Sequence, residues 1–341
     1  MRAFVLSGPG ESAVLEVEPP VAGPGQVVVD ISRVGVCGTD AEMFSGEMEY
    51  LHNGLATYPV RLGHEWCGTV SAVGDGVDPS WIGRRTTGDT QIGCGHCHRC
   101  LAGRQHVCEE RQEIGLRRGF YGALAEQLAV PVSALLPLPD GVDDTAGAMV
   151  EPGGNALRAV RAAEVGVGER LLVIGPGTIG LLSAQFAKAA GCEVHVLGVT
   201  QASLAFASGL GVTGAWTADE LPDLRWDAVV EASNHPSSPA LAAELVDAGR
   251  RLVYIGLSER PSSLDTRTLV MKDVTAVGVL SASPGLSGAV DSYTSGAVDP
   301  RPLVAATLTL DDVDGVLRGH RPPAAGPGPK IHVDPRARRL P

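Results

Sequence analysis

The residues with the most direct chemical meaning are four closely spaced cysteines, Cys94, Cys97, Cys100 and Cys108. Their thiolates, separated by two, two and seven residues, can close tetrahedrally on one zinc ion and leave no position open for a substrate. Unligated cysteines are usually buried in apolar cores, whereas these stand among glycine, histidine and arginine. The spacing therefore predicts a structural zinc site in a lobe of about residues 93–109, with His96 and His98 facing solvent.

A glycine-rich turn stands in the middle of the chain, in the segment Leu171-Leu-Val-Ile-Gly-Pro-Gly-Thr-Ile-Gly180. Residues 171–174 are an apolar run typical of a buried strand, and apolar side chains then recur at helical spacing up to Gly191. In the order strand, glycine turn, helix, a G-x-G-x-x-G motif lets a pyrophosphate approach the helix N-terminus. The segment predicts a dinucleotide site at Gly175, Pro176, Gly177, Thr178, Ile179 and Gly180.

The next strand of this pattern, Glu193-Val-His-Val-Leu197, ends without the acidic residue that binds the ribose 2′-hydroxyl of NAD. Gly198 takes that place, and Thr200 and Gln201 follow as hydrogen-bond donors. A missing carboxylate removes the repulsion toward a 2′-phosphate, so the sequence favours NADP over NAD. No Arg or Lys follows closely, which leaves Arg225 and Arg251 as candidate charge partners of that phosphate.

A further set of residues is scattered along the first half of the chain, and each member alone is a weak signal. The set consists of Gly35-Val-Cys37-Gly-Thr39-Asp40, Gly63-His64-Glu65 and Glu151-Pro152. With the cysteine lobe, the glycine turn and the closing Lys330-Ile-His-Val333, these segments resemble the zinc-dependent branch of the medium-chain dehydrogenase/reductase family nearly end to end. The resemblance implies a GroES-like, mostly β catalytic domain together with a Rossmann dinucleotide-binding domain.

The resemblance also implies a catalytic zinc held by Cys37, His64 and a carboxylate. That carboxylate is Glu65 or Glu151, in contact with the metal directly or through water. Such a zinc keeps a position for the substrate oxygen and lowers the pKa of a bound alcohol, whose alkoxide then passes hydride to the nicotinamide. We therefore expect two zinc ions per chain, one structural and one catalytic.

Three neighbours of Cys37 have roles implied by the same resemblance. Thr39 is the first proton acceptor from the bound hydroxyl, and Asp40 orients the His64 ring through a carboxylate contact. The family often has a histidine three residues beyond Thr39, where this chain has Glu42. The chain therefore departs from the family pattern at one position of its proton path.

The acidic residues of this set favour a polyhydroxylated substrate. Simple alcohol dehydrogenases have a cysteine in the place of Glu151, so Glu151-Pro152 points to the polyol and sugar side of the family. Cys37-Gly-Thr-Asp-Ala-Glu42 is similar to archaeal-type glucose dehydrogenases, and Gly63-His-Glu-Trp66 to aminocyclitol dehydrogenases. The expected function is oxidation or reduction at a secondary hydroxyl or ketone of a sugar, polyol or (amino)cyclitol. The alternatives are a reductase of a simpler aliphatic or secondary-metabolite ketone and, outside enzymes, a catalytically dead scaffold with a zinc-ribbon interaction lobe.

The elements that must position these residues fall into two patterns. The segment from residue 1 to about 150 contains short β-prone runs separated by Pro and Gly. From about 153 to 280, strand-like runs alternate with helical stretches. The alternation predicts a doubly wound parallel sheet, and Ser233 and Ile255 near its strand ends are expected to touch the dinucleotide. We expect residues 1–152 and 288–341 to form the GroES-like domain and residues 153–287 to form the Rossmann domain.

Composition bounds the class of protein and its partners. The chain has 341 residues, a formal net charge of −12 and seven cysteines. An acidic balance argues against nucleic acid or an anionic membrane as partner, and no apolar run is long enough to span a bilayer. The odd and clustered cysteines indicate metal binding in a reducing compartment, so we expect a cytoplasmic protein. We also expect it to form a homodimer or homotetramer.

Overall fold

The computed structural model describes residues 1–258 and 260–338. Its strands, in chain order, are β1 Arg2–Gly8, β2 Glu11–Glu16, β3 Gln26–Val36, β4 Glu65–Val73, β5 Arg85–Gly88, β6 Gln91–Ile92, β7 Gln112–Glu113, β8 Gln127–Pro131, β9 Leu135–Pro137, β10 Arg170–Ile174, β11 Glu193–Leu197, β12 Gly214–Trp216, β13 Trp226–Glu231, β14 Val246–Tyr254, β15 Thr275–Gly278, β16 Val304–Thr309 and β17 Lys330–Asp334. Its α-helices are α1 Gly38–Ser45, α2 Glu49–His52, α3 His98–Leu101, α4 Asp144–Ala148, α5 Val150–Ala163, α6 Thr178–Ala189, α7 Gln201–Gly209, α8 Ser238–Leu245, α9 Thr266–Met271, α10 Leu286–Thr294 and α11 Val313–Leu317. Among these described helices, none has the length and apolar character that crossing a bilayer requires.

The first of two compact units contains Met1–Glu151, Val304–Gly326 and the described chain from Lys330 onward. Its main sheet has the strand order β16-β17-β3-β4-β5-β9, and β8 pairs with β3. β16 and β17 are parallel, and the other pairings are antiparallel. Apolar side chains of β3, β4 and β8, including the fully buried Ile31 and Trp66, form the core of this unit. The closing strand β17 therefore lies inside the sheet that carries the predicted zinc ligands.

The second unit contains Pro152–Leu303 and Pro327–Pro329. Its six strands are all parallel in the order β12-β11-β10-β13-β14-β15, with fully buried apolar residues along β10 and β13. The order reverses direction between β10 and β13, and in such sheets a crevice opens at the carboxyl ends of the strands at this point. The predicted doubly wound parallel sheet is confirmed.

The second domain boundary differs from the prediction, because the structure places residues 288–303 in the second unit. Helix α10 buries Leu286, Ala289, Val290 and Tyr293, and the Tyr293 ring stacks on Phe186 of α6 with centroids 6.2 Å apart. These buried positions have the spacing i, i+3, i+4, i+7 of an amphipathic helix. The signal was in the sequence, but it was outweighed by the end of the strand–helix alternation near residue 280.

The segment that precedes β8 contacts the backbone next to the candidate zinc ligands. β8 begins at Gln127, and the residues before it run along the segment 61–63. The Ala123 N–H donates to Gly63 O at 2.8 Å, and the Leu124 N–H donates to Leu62 O at 2.9 Å. These bonds hold the backbone immediately before His64 in place.

Candidate zinc and dinucleotide sites

The four cysteines of the lobe lie close enough together to share one metal ion. All four sulfur atoms lie within 4.8 Å of one another. The Cys94–Cys100 and Cys97–Cys108 sulfur distances are 3.9 and 3.8 Å. A tetrahedral zinc with Zn–S bonds of about 2.3 Å requires sulfur atoms about 3.8 Å apart. The donor set therefore fits a closed tetrahedral zinc site.

The local backbone of the lobe supports these sulfur positions. The N–H of Cys97 donates to the Cys94 sulfur and the N–H of Cys100 donates to the Cys97 sulfur, each at 3.4 Å. His96 and His98 are exposed, as expected. Cys94, His96 and Glu110 form an alternative group, but His96 Nδ1 is engaged with Cys94 O at 3.0 Å and this group has one thiolate instead of four. The all-cysteine set is the better zinc site.

Cys100→Ser is expected to remove zinc from the lobe and destabilise the protein, because structural zinc supplies folding free energy. A loss of about 3 kcal/mol would lower Tm by roughly 4 °C in a protein of this size, if the chain unfolds as one unit. The matched control is Cys192→Ser, a buried thiol whose sulfur lies 3.4 Å from Gly166 O and whose hydroxyl replacement keeps a donor. Zinc content and Tm are the measurements, and an unchanged zinc content in Cys100→Ser contradicts the assignment.

Cys37, His64 and Glu65 form a second group, whose candidate ligand atoms all lie within 4.8 Å of one another. Cys37 follows β3 and caps α1, whereas His64 and Glu65 stand at the start of β4. Because β3 and β4 are antiparallel, with Gly35 opposite Glu65, the end of one strand meets the beginning of the other. A thiolate, an imidazole and a carboxylate are the donors that zinc takes in open sites.

Asp40 joins the two segments that carry these ligands. Its fully buried carboxylate accepts the N–H of Cys37 at 2.9 Å and the N–H of Gly63 at 3.2 Å. Asp40 Oδ1 lies 3.5 Å from His64 Nδ1, which is an ion-pair distance without hydrogen-bond geometry. Burial alone would lower the pKa of His64, but Asp40 and then Cys37 raise it well above its ordinary value. The negative charge of Asp40 thus stabilises a positive charge in the site, which can be either a proton on His64 or a bound metal cation.

A buried lysine that the sequence analysis did not single out neutralises Glu65. Lys330 Nζ lies 2.8 and 2.6 Å from the two carboxylate oxygens of Glu65, and also donates to Val36 O at 3.1 Å. Burial alone would lower the pKa of Lys330, but the charges of Glu65 and Cys37 raise it. A side chain at position 35 would collide with Glu65, since a Cβ there would be 2.0 Å from Oε2. The sequence contained one sign of this buried ion pair: a lysine, Lys330, stands at the start of the otherwise apolar strand β17.

Glu151 is buried in the first turn of α5, but it belongs to no metal-binding group among the described residues. The structure thus brings Glu65, and not Glu151, within direct reach of Cys37 and His64. A water-mediated contact of Glu151 with the metal stays a prediction. Thr39 Oγ1 lies 3.9 Å from the Cys37 sulfur, on the first turn of α1, where it can meet a hydroxyl held in this site.

The glycine turn has the backbone that a bound pyrophosphate requires. Gly175 has a φ of +102°, which a residue with a side chain rarely adopts. A Cβ on Gly180 would be 1.9 Å from Gly175 O, so this position needs glycine for the close packing of helix and turn. Gly177 caps α6, with open space at the position of a Cβ. The N–H groups at the start of α6, around Pro176, Thr178 and Ile179, are thus open to an anion.

Ser233 and Ile255 lie at the same edge of the sheet as Gly175. Ala232 O and Ser233 N would lie within 3.0 Å of a Cβ on Gly175, and the N–H of Ile255 donates to Glu231 O at 3.0 Å. The Glu231 carboxylate accepts the backbone N–H of Ser233 at 2.9 Å and its hydroxyl at 2.6 Å. Burial raises the pKa of Glu231. Glu231 therefore fixes the loop that faces the glycine turn.

Gly198 follows β11 beside this turn, and a Cβ there would be 2.8 Å from Pro176 Cγ. Thr200 caps α7, which begins at Gln201, and the Thr200 Oγ1 accepts the N–H of Ser203 at 3.2 Å. Ser203 adds a hydroxyl 2.7 Å from Thr200 Oγ1 that the sequence analysis did not include. A 2′-phosphate here would meet hydroxyl and amide donors.

The suggestion that Arg225 or Arg251 neutralises a 2′-phosphate is wrong. Arg225 precedes β13, at the amino end of the strand and away from the glycine turn. Arg251 lies in β14, which is separated from β11 by β10 and β13, and pairs with Glu164 at 2.8 Å. Three strand steps span about 14 Å. Arg251 is excluded by the order of the strands, which sequence spacing does not reveal, and Arg225 is excluded by its place at the amino end of β13.

Two family models match the chain. The one described as the alcohol dehydrogenase GroES-like domain covers residues 23–140, and the one described as the zinc-binding dehydrogenase covers residues 178–294. The first match confirms the expected GroES-like domain, and the second covers most of the parallel-sheet unit from α6 to α10.

Relatives and solved structures match nearly end to end. The L-threonine 3-dehydrogenase of Idiomarina loihiensis is 30% identical over 311 residues, which cover 88% of this chain and 90% of that protein. Galactitol-1-phosphate dehydrogenase from Escherichia coli is 27% identical with a TM-score of 0.87, and the match covers 98% of this chain and 100% of that one. A zinc-binding dehydrogenase from Sinorhizobium meliloti 1021 bound to NADP is 27% identical with a TM-score of 0.88, over 98% and 99% of the two chains.

Proposed function

Because the chain belongs to the zinc-dependent medium-chain dehydrogenase/reductase family, we propose that it transfers hydride between NADP and a secondary hydroxyl or ketone of a polyhydroxylated substrate. The observation that carries the proposal is the group of Cys37, His64 and Glu65 beside Thr39. These residues offer three different donor types and stand at strand ends, where a fourth position stays available for a substrate oxygen.

The roles of the residues follow from their chemistry. Cys37, His64 and Glu65 would hold the metal, and Lys330, paired with Glu65, would offset part of the negative charge of these ligands. Zinc bound here would lower the pKa of the reacting hydroxyl, and the nicotinamide cofactor would accept or donate the hydride. Thr39 accepts the proton of the substrate hydroxyl and passes it on, because its own hydroxyl is both acceptor and donor. Asp40 keeps the Cys37 and His64 segments at a fixed separation.

The carboxylates that the family resemblance assigns to this site favour a polyhydroxylated substrate. Glu42 lies on α1, directly after Cys37, and Glu151 lies in the first turn of α5; extra hydroxyls of a polyol would donate to such carboxylates. The similarity to galactitol-1-phosphate dehydrogenase supports this choice, since that enzyme's name specifies a polyol derivative. Glu65 adds less than the sequence suggested, because Lys330 already occupies both of its oxygens.

We expect kcat/KM to be at least about tenfold higher for a vicinal polyol, aldose or cyclitol than for 2-propanol, because the extra hydroxyls of these substrates can form hydrogen bonds that 2-propanol cannot form. A panel of these substrates, followed by cofactor absorbance, measures the ratio. Equal efficiency toward 2-propanol would favour the simpler ketone reductase. A protein that fails to change the fluorescence of NADPH or NADH on titration would instead be a scaffold without this activity.

The cofactor preference is expected to be NADP over NAD, because no carboxylate stands at Gly198 to repel a 2′-phosphate. An aspartate at position 198 alone would clash with the ring of Pro176, so the informative variant is Pro176→Ala/Gly198→Asp, with Pro176→Ala as the matched control. A carboxylate bonded to the ribose hydroxyls is expected to shift the ratio of kcat/KM toward NAD by about 10- to 100-fold. Wild-type enzyme that prefers NAD would show that the missing carboxylate does not decide the preference.

A further inference from the structure

A cavity on the cysteine lobe is lined by residues that belong neither to the candidate zinc ligands nor to the glycine turn. It has a volume of about 370 Å³ and is lined by His98, Arg99, Ala102, Arg104 and Val107. Ligand pockets for small molecules begin at roughly this size. No cysteine lines the cavity, so zinc binding by the lobe does not account for it.

The lining of this cavity is basic in a chain whose net charge is −12. Arg99 and Arg104 are permanent cations, and a neutral His98 ring adds one N–H donor. None of the lining residues, all of which belong to the described chain, carries a carboxylate. The positive charge of the cavity lining is therefore local and opposite in sign to the net charge of the whole protein.

The two arginines differ in how they are held. Arg99 Nη1 donates to Val107 O at 3.0 Å and pairs with the exposed Glu109 at 2.9 Å, so its guanidinium is fixed while other N–H donors stay available. The exposed Arg104 side chain makes no hydrogen bond or ion pair with any residue in the described part of the chain. One anchored and one unpaired guanidinium beside a single cavity match the several oxygens of a phosphate group.

We propose that this cavity binds the phosphate group of a small anion, either free phosphate or a phosphate monoester. The apolar Ala102 and Val107 leave room beside the cations for the carbon portion of an ester. This site does not rest on the proposed dehydrogenase function, because it shares no residue with the catalytic group or the glycine turn. It would give the protein a second ligand, bound on the structural lobe.

The test is calorimetric titration of the zinc-loaded full chain with inorganic phosphate and, separately, with glycerol 3-phosphate. Arg104→Gln is expected to weaken binding by about tenfold or more, since it removes a charge-assisted contact. Arg225→Gln, which removes an exposed arginine elsewhere, is expected to leave binding unchanged. Tighter binding of glycerol 3-phosphate identifies an ester as the ligand, and equal binding identifies free phosphate.

Zinc content and Tm of Arg104→Gln, expected to equal those of wild type, show that the lobe is intact in this variant. The proposal is overturned if wild-type protein shows saturable binding of neither inorganic phosphate nor glycerol 3-phosphate. It is also overturned if Arg104→Gln binds phosphate as wild type does, because the anion then occupies the start of α6 beside Gly177 or another site.

Discussion

Cys37→Ser is expected to lower kcat/KM by about 10³- to 10⁵-fold, because a metal that polarises the reacting oxygen contributes several kcal/mol to the transition state. The variant should fold, since Cys37 is half-buried and its N–H would still donate to Asp40. Its zinc content should fall from two ions per chain to one, because the cysteine lobe keeps its own. Steady-state kinetics with the best substrate of the panel and colorimetric zinc release provide the two measurements.

The matched control for this variant is Cys67→Ser. Cys67 is a fully buried thiol of the same sheet, and its sulfur donates to Asp144 O at 3.1 Å, a bond that a hydroxyl also makes. We expect this control to keep two zinc ions and most of the activity. One zinc per chain in fully active wild-type protein, or substantial turnover by Cys37→Ser, would contradict the assignment of a catalytic metal to this site.

Lys330→Met is expected to lower the free energy of unfolding by about 3–5 kcal/mol, because it leaves the buried Glu65 carboxylate without its cation. The methionine is apolar and of similar length, so the loss measures the unpaired charge more than a cavity. Urea unfolding followed by tryptophan fluorescence measures this loss, with Trp66 and Trp81 reporting on the first unit and Trp216 and Trp226 on the second. Lys188→Met, which removes an exposed lysine that donates to Leu210 O, is the control and should change stability little.

The double variant Lys330→Met/Glu65→Leu separates an unpaired charge from lost packing. Removing both members of a buried pair is often nearly neutral, so we expect the double variant to recover most of the stability lost by Lys330→Met. Its catalytic activity should stay below that of wild type, since Glu65 is one of the three candidate metal ligands. Equal instability of the single and double variants would show that Lys330 acts through packing alone.

Sequence reasoning succeeded where a site is built from neighbours in the chain. The four cysteines of the lobe lie within one short segment, so their spacing already limits how their sulfur atoms can meet. The glycine turn is equally local, and the roles predicted for Gly175 and Gly180 are visible in the φ of the first and the close packing of the second. The parallel sheet was predictable because strand and helix periodicities alternate along the chain.

The sequence analysis failed where a contact depends on strand order or register. Lys330 and Glu65 are 265 residues apart, and they meet because β17 and β4 lie on either side of β3. The same limit applies to Arg251, whose distance from Gly198 is set by two intervening strands. Asp40 lies 3.5 Å from the His64 ring, as expected, but its hydrogen bonds to the backbone N–H groups of Cys37 and Gly63 depend on the fold and were not predicted.

The position of β17 between β16 and β3 has a consequence for synthesis on the ribosome. Until Lys330–Asp334 have emerged, the edge of β3 that β17 covers has no partner, and Glu65 has no cation. The second unit, nearly all of which is encoded earlier, can complete its parallel sheet while the first unit still waits for its last strand. During translation the unit that begins the chain is thus the later one to finish, and its unfinished sheet is the part that a chaperone would need to protect.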